Sequence, residues 1–310
     1  MFRGVYQAAS GMLAAQRYQE ILTNNLTNAQ TPGYKQDQTV LHSFPEILMY
    51  RIKAQASRSS TGATGGTQRS AAYSPVGTLH TGVFAQEAVP NFRQGPLTET
   101  GRSLDVAIVD QTLPPNPDTG RKGTLFFAVQ APSGEIRYLR NGQFALDEEG
   151  YLTTADGYYV LDENLNPLYV GNDQFTVTTD GYILLDEQAL LEAPPGVLPQ
   201  VRIWLGYTEE PEHLIREGHG LWRWAPDGPV EGPYGEPVLA YGLPVLDDPA
   251  NPGSVPFQLR QGFIEQSNVD VGQTMANMII QLRLYEANQR VLQAYDRSME
   301  LAANQIGRLY

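Results

Sequence analysis

Helix-forming and strand-forming signals are segregated along this 310-residue chain, and that segregation limits the fold more than any single motif does. Residues 1–30 and about 270–308 are amphipathic with almost no Pro or Gly, while the stretch between them is punctuated every few residues by turn formers. Near the C-terminus Met275, Met278, Leu282, Tyr285 and Gln289 follow alternating steps of three and four, and Leu292, Asp296, Met299, Ala303 and Ile306 continue them. This is the spacing of a heptad seam, which hides its apolar side chains only against a partner helix. The N-terminal segment offers one, because Val5, Ala8, Met12, Ala15, Leu22 and Leu26 approximate the same stripe with Gln19 interrupting it. The expected fold class is therefore α+β, mainly β, with a central antiparallel β-domain and long terminal helices that pair as a coiled coil.

The first helix is expected from about Arg3 to Ala29, stopping where Thr31-Pro32-Gly33 removes a backbone donor and supplies a flexible turn. Asn24, Asn25 and Asn28 fall in its last turns, where Asn caps a helix end or offers amides to a neighbouring subunit. The chain then divides into an assembly helix (1–34), a linking segment (35–77), a β-rich body (78–256) and a C-terminal linker with its helix (257–310). Residues 54–75 are small, polar and Gly-rich, and are expected to form either a mobile loop or a segment that becomes ordered against a neighbour. In the body, Leu104–Val109 and Leu125–Val129 are compact apolar runs. The pairs Asn141-Gly142, Glu149-Gly150, Asp156-Gly157 and Asp180-Gly181 predict hairpins between short antiparallel strands.

Charge narrows the function classes. The formal net charge is −13, and from Asp147 to Asp248 about twenty carboxylates face three arginines. A nucleic-acid surface needs clustered Lys and Arg, so that class is excluded. With no cysteine there is neither a disulfide framework nor a thiolate metal site. No window approaches eighteen consecutive apolar residues, so no membrane insertion is expected. Gln7, Ser10, Gln16 and Arg17 break any apolar core of a secretory signal, so no cleaved signal peptide is expected.

The search for chemistry finds no catalytic set. His213 and His219, with Glu212 and Glu217 nearby, match no zinc spacing. Asp162-Glu163-Asn164-Leu165-Asn166 imitates the start of a calcium loop, but Pro167 replaces the required glycine, and a polar hairpin turn is expected instead. There is no phosphate loop and no G-x-S-x-G elbow. No enzyme activity, cofactor or metal is expected. An extracellular binding module, an adhesin or carbohydrate-binding protein oligomerised by its helices, stays open as the alternative, with Trp204, Trp222 and Trp224 as its candidate aromatic site.

Four separated blocks carry a family resemblance. They are Asn24-Asn25-Leu26-Thr27-Asn28-Ala29 with Thr31-Pro32-Gly33-Tyr34-Lys35; Gln94-Gly95-Pro96-Leu97 with Leu104-Asp105-Val106-Ala107-Ile108; Tyr138-Leu139-Arg140-Asn141-Gly142-Gln143-Phe144 with Gly150-Tyr151-Leu152; and Gln261-Gly262-Phe263-Ile264-Glu265-Gln266-Ser267-Asn268-Val269-Asp270. In this order they resemble the bacterial flagellar rod and hook protein family. The pattern departs from the family at an insertion over 110–122. The resemblance implies a structural subunit of the extracytoplasmic flagellar basal body that self-assembles into a helical tube, transmits torque and forms part of the export channel. It implies as partners copies of itself, other rod and hook proteins, and the flagellar type III export apparatus. The assembly surface would be built from the seam residues named above and the three asparagines.

Overall fold

The computed structural model describes residues 2–44, 47–54, 71–79, 82–85, 87–111, 113, 122–195, 197–209, 211–224, 238–240 and 257–306. Most of the small, polar 54–75 stretch and of the 110–122 insertion lies outside the described residues. Among the described residues there are three α-helices: α1, Phe2–Thr27; α2, Glu187–Glu192; and α3, Val271–Ile306. The chain forms two compact units, each discontinuous in sequence. The helical unit comprises Met1–Thr23, Thr39–Ala88 and Gly272–Tyr310, and the β-rich unit comprises Asn24–Gln38 and Val89–Val271.

In the helical unit, α1 and α3 account for the long amphipathic patterns. Two antiparallel strand pairs accompany them, Leu41–Ser43 with Val83–Ala85 and Ile47–Ala54 with Ala71–Leu79. The first pair is tied to α1 where the Val83 amide donates to Ser10 Oγ at 3.3 Å.

Among the described residues of the β-rich unit every strand pairing is antiparallel. Thr124–Gln130 is the central strand of a nine-stranded sheet. One of its edges pairs with Ile136–Leu139. The other is shared between Leu205–Thr208 and Tyr159–Val160. This explains the compact apolar run, because the strand is covered on both faces and carries no polar alternation. Leu125, Phe127 and Val129 enter a large core with Val106, Ile108 and Leu205. Phe126 and Ala128 enter a smaller one with Tyr138, Trp204 and Trp222 on the opposite face.

Three of the four turn pairs behave as expected. Gly150, Gly157 and Gly181 have φ of 87°, 82° and 89°, and each lies between strands that pair with one another. Asn141-Gly142 differs. The strand before it pairs within the large sheet at Thr124–Gln130, whereas Phe144–Leu146 after it pairs with Leu152–Thr154, so the chain crosses over rather than reversing. Glycine is required there because the Val106 amide donates to the Gly142 carbonyl at 2.9 Å, and a Cβ would overlap the Val106 carbonyl.

The last strands of the unit return to its first ones. Phe257–Gln261 pairs with Val106–Asp110, Phe263–Glu265 with Leu97–Glu99, and Asp37–Gln38 with Val89–Pro90. Both ends of the chain thus reach the unit at one place, as pairing of the terminal helices requires.

Candidate assembly surface and its anchor

The contact between α1 and α3 is set by glycine rather than by large apolar side chains. Gly4 lies against the Tyr295 side chain, and at Gly11 a Cβ would stand 2.8 Å from Asn288 Nδ2. A step of +7 on one helix matches a step of −7 on the other, so the helices run antiparallel. On α1 the covered line continues through Ala8, Ala15 and Leu22, all buried. On α3 the half-buried positions Met278, Tyr285, Leu292 and Met299 alternate with Thr274, Gln281, Asn288 and Tyr295. Small residues on α1 leave room for these bulkier polar groups on α3. Apolar counting misses this arrangement, since Gly4 and Gly11 contribute nothing to it.

The α3 residues expected on one seam therefore divide between two faces. Met278, Tyr285, Leu292 and Met299 lie on the half-buried line, while Met275 and Leu282 are 48% and 46% exposed. On α1, Val5, Met12 and Leu26 are half-buried. Ile306 closes α3, with its side chain outside the described set. A further stripe on α3 was not anticipated. Ile280, Leu284, Ala287, Val291, Ala294 and Leu301 keep steps of four and three, with one double step, and all are exposed. On α1, Tyr6 and Leu13, seven residues apart, are about 70% exposed as well.

At the exit of α1 the asparagines have definite partners. Asn28 Nδ2 donates to the Asn24 carbonyl at 2.9 Å, a second bond to an acceptor that already takes the Asn28 amide at 3.1 Å. Asn25 is fully buried and reads the backbone of Asp37 from both sides, donating to its carbonyl at 2.8 Å and accepting from its amide at 2.9 Å. Tyr34 Oη lies 2.8 Å from the Asn24 and 3.1 Å from the Asn25 side-chain oxygen. Residues 24–37 thus fold back on themselves and present Tyr34 and Lys35 to the rest of the β-rich unit. Asn24 itself remains exposed.

There a buried charge cluster holds them. Lys35 Nζ donates to Glu265 Oε1 at 2.6 Å, and Arg140 Nε donates to Glu265 Oε2 at 2.6 Å. Arg140 also binds Asp110 in bidentate fashion at 3.1 and 2.8 Å and donates to the Leu125 carbonyl at 2.6 Å. The side chains of Lys35, Arg140 and Glu265 are at most 1% exposed. Burial, reinforced by the charge of Arg140, pushes the Lys35 ammonium down to about 8 against the pull of Glu265. Burial raises Glu265, but the charges of Arg140 and Lys35 outweigh it and leave the carboxyl below its ordinary value. Nearby, Arg216 stacks on the rings of Tyr34 and Trp222 at 4.7 and 4.8 Å and binds Asp37 at 2.8 Å. Every member of this cluster lies in a block that the resemblance singled out or beside one, yet the sequence does not reveal that blocks so far apart meet.

The alternative aromatic site is not formed. Trp204 and Trp222 are core residues, and Trp224 packs against the same cluster. The calcium-like segment is a polar turn in which Asp162 Oδ1 accepts from the amides of Asn164 and Asn166, each at 2.8 Å. Among the described residues no group of three or more His, Asp or Glu could hold a metal ion, and no helix is long and apolar enough to cross a membrane.

Comparison with known proteins agrees with this layout. Residues 6–35 match the family "Flagella basal body rod protein", 122–185 the "Flagellar hook protein FlgE/F/G D1 domain", and 260–306 the "Flagellar basal body rod FlgEFG protein C-terminal". The chain is 36% identical over 309 residues to the flagellar hook-basal body complex protein FlhO of Bacillus subtilis, covering 100% of both chains. It is 29% identical to the basal-body rod protein FlgG of Borreliella burgdorferi over 98% of each chain. It is 27% identical to the rod protein FlgF of Caulobacter vibrioides, over 100% of this chain and 98% of that one.

Proposed function

This chain belongs to the family of flagellar hook and basal-body rod proteins, and from that premise we propose that it is a rod subunit whose terminal helices pack among copies of itself and other rod and hook proteins. The family is structural and not enzymatic, so function here means assembly. The observation that carries the reading is the exposed α3 stripe through Ile280, Leu284, Val291 and Leu301, which the α1–α3 contact leaves uncovered. Burying one such side chain is worth about 1.5–3 kcal/mol, so the stripe gives neighbouring copies a strong reason to pack against it. With Met275 and Leu282 on one flank and Tyr6 and Leu13 on α1, α3 and α1 have apolar faces for several neighbours at once.

In this reading the helical pair extends into a coiled coil among copies, with Val5, Ala8, Met12, Ala15, Leu22, Leu26, Met278, Tyr285, Leu292, Met299 and Ile306 in or beside its seams. Asn24, Asn25 and Asn28 shape the exit from α1, and Asn24 keeps a free face for a neighbour. Head-to-tail addition with a rotation that does not close a ring makes a tube, through which later subunits would pass and along which torque would be transmitted. Delivery is by the flagellar type III export apparatus to an extracytoplasmic position in the basal body. The test is Leu284→Asp with Val291→Asp, which places charges in the stripe without touching the helix pair or the body. The double variant should be exported and folded by circular dichroism yet fail to enter purified basal bodies, and cells should not swim. Normal incorporation and swimming would refute the stripe as an assembly surface.

A further inference from the structure

We infer that the C-terminal segment 265–268 gates the seating of the N-terminal arm 33–37 on the β-rich unit, so that the arm docks only after the end of the chain has arrived. The geometry behind this lies wholly within the β-rich unit, and the inference stands whether or not the rod reading does. Four of the arm's polar contacts are made with that segment. The Gly33 amide donates to the Glu265 carbonyl at 2.8 Å, Lys35 Nζ to Glu265 Oε1 at 2.6 Å, and the Gln36 amide to Asn268 Oδ1 at 2.7 Å. The Asn268 amide returns a bond to the Tyr34 carbonyl at 3.4 Å.

The dependence runs one way. The C-terminal segment has supports of its own: the ladders of Phe257–Gln261 and Phe263–Glu265, the Gln266 amide on the Pro96 carbonyl at 2.9 Å, and Asn268 Nδ2 on the Asn91 and Arg93 carbonyls at 2.8 and 3.0 Å. Apart from that segment, the arm has the two-residue pairing of Asp37 and Gln38, the Asn91 amide on the Gln36 carbonyl at 2.8 Å, the Asn24 and Asn25 side chains on Tyr34 and Asp37, the Lys35 bond to the Arg93 carbonyl, and the Arg216 clasp. Charge sharpens the asymmetry. Without Glu265 the buried site contains Arg140, already held by Asp110, and an entering Lys35 would be a second cation with no carboxylate of its own. A desolvated, unpaired ammonium is strongly disfavoured, so the site rejects the arm until Glu265 is in place. A chain delivered from its N-terminus would therefore keep this arm undocked until residues 265–268 had emerged.

Hydrogen exchange on the full-length protein tests this. In Glu265→Gln/Asn268→Ala, amides of residues 33–37 should exchange on the order of 100-fold faster, while the central strand Thr124–Gln130 stays protected. Adding Lys35→Met removes the cation that needs a counter-ion and should restore at least tenfold of that protection. Lys35→Met alone should leave residues 263–268 at wild-type exchange. The gate is refuted if the arm keeps wild-type protection in the first variant or if arm and central strand open together. It is equally refuted if Lys35→Met brings no recovery or if that single change loosens 263–268 as much as the arm.

Discussion

Arg140→Met asks the most of the buried cluster. The guanidinium is fully buried and serves two carboxylates and a main-chain carbonyl, with donor distances of 2.6–3.1 Å to Glu265, Asp110 and Leu125. Methionine fills much of the same volume but supplies no donors, so Glu265 keeps only Lys35 and the Gly95 amide at 2.8 Å, and the Leu125 carbonyl loses its partner. Removing one partner of a buried pair costs about 3–5 kcal/mol, a large fraction of the 5–15 kcal/mol that typically holds a domain. For a unit of about 200 residues each kcal/mol is worth about 2–4 °C, so the unfolding midpoint of the β-rich unit should fall by about 6–20 °C in calorimetry. Arg223→Met is the control. Its guanidinium is 44% exposed and 2.6 Å from the one-third exposed Glu217, which Arg137 also holds, and its loss should cost under about 1 kcal/mol. Because the penalty arises from stranded charges, adding Lys35→Met and Glu265→Met to Arg140→Met should recover most of it. An Arg140→Met midpoint within 2 °C of wild type, or a triple variant worse than the single, would refute the reasoning.

The other expectations concern pH, the helix pair and the crossover glycine. Glu265 titrates below its ordinary value when folded, so its contribution is present above about pH 4.5 and is lost as pH falls through the folded value; urea midpoints should drop more steeply with acid in wild type than in Glu265→Gln. Lys35 works in the opposite sense to a simple salt bridge: with a folded value of about 8 against 10.5, the unfolded chain holds the extra proton between those values. Wild type should therefore gain stability relative to Lys35→Met from pH 8 to 10.5, and a loss in that difference would contradict the assignment. Gln281 is buried with its Oε1 lacking a hydrogen-bond partner, so Gln281→Met should stabilise the helical unit by about 1–2 kcal/mol in thermal melts. Gly142→Ala drives a methyl into the Val106 carbonyl and should cost about 2–3 kcal/mol in the same assay.

Periodicity made the terminal helices and the antiparallel body legible, because each follows from local spacing and turn chemistry. The α3 seam was half legible. Met278, Tyr285, Leu292 and Met299 were placed on the half-buried line, but stepping from 278 to 282 instead of 281 carried Leu282 to the exposed side. The true line passes through Gln281, Asn288 and Tyr295, which an apolar template rejects, and it is set by Gly4 and Gly11 on the other helix. Lys35, Arg140 and Glu265 stood within recognised blocks, yet their meeting could not be read because 230 residues separate the first from the last. A buried ion pair leaves no periodic trace; only the ladders that return the chain to Val106–Asp110 and Leu97–Glu99 bring it together.

The same return path accounts for how the chain distributes its charge. Counted from the sequence, the helical unit holds ten Lys and Arg against six Asp and Glu, a net of +4, whereas the β-rich unit holds eleven against twenty-eight, a net of −17. Two of those eleven cations, Lys35 and Arg140, are buried against Glu265 and Asp110, so the cluster is neutral and the rest of the body keeps the net of −17. Like charge at this density opposes close packing of body on body, with a reach of about 8 Å at physiological salt. The helical unit carries no such barrier and is where the exposed apolar side chains form a continuous stripe. Attraction and repulsion are thus assigned to different parts of one chain: copies that meet through their helices gain apolar burial, and copies that meet through their bodies gain nothing comparable. In the rod proposed above, this difference would favour helix-to-helix contact before any specific hydrogen bond forms.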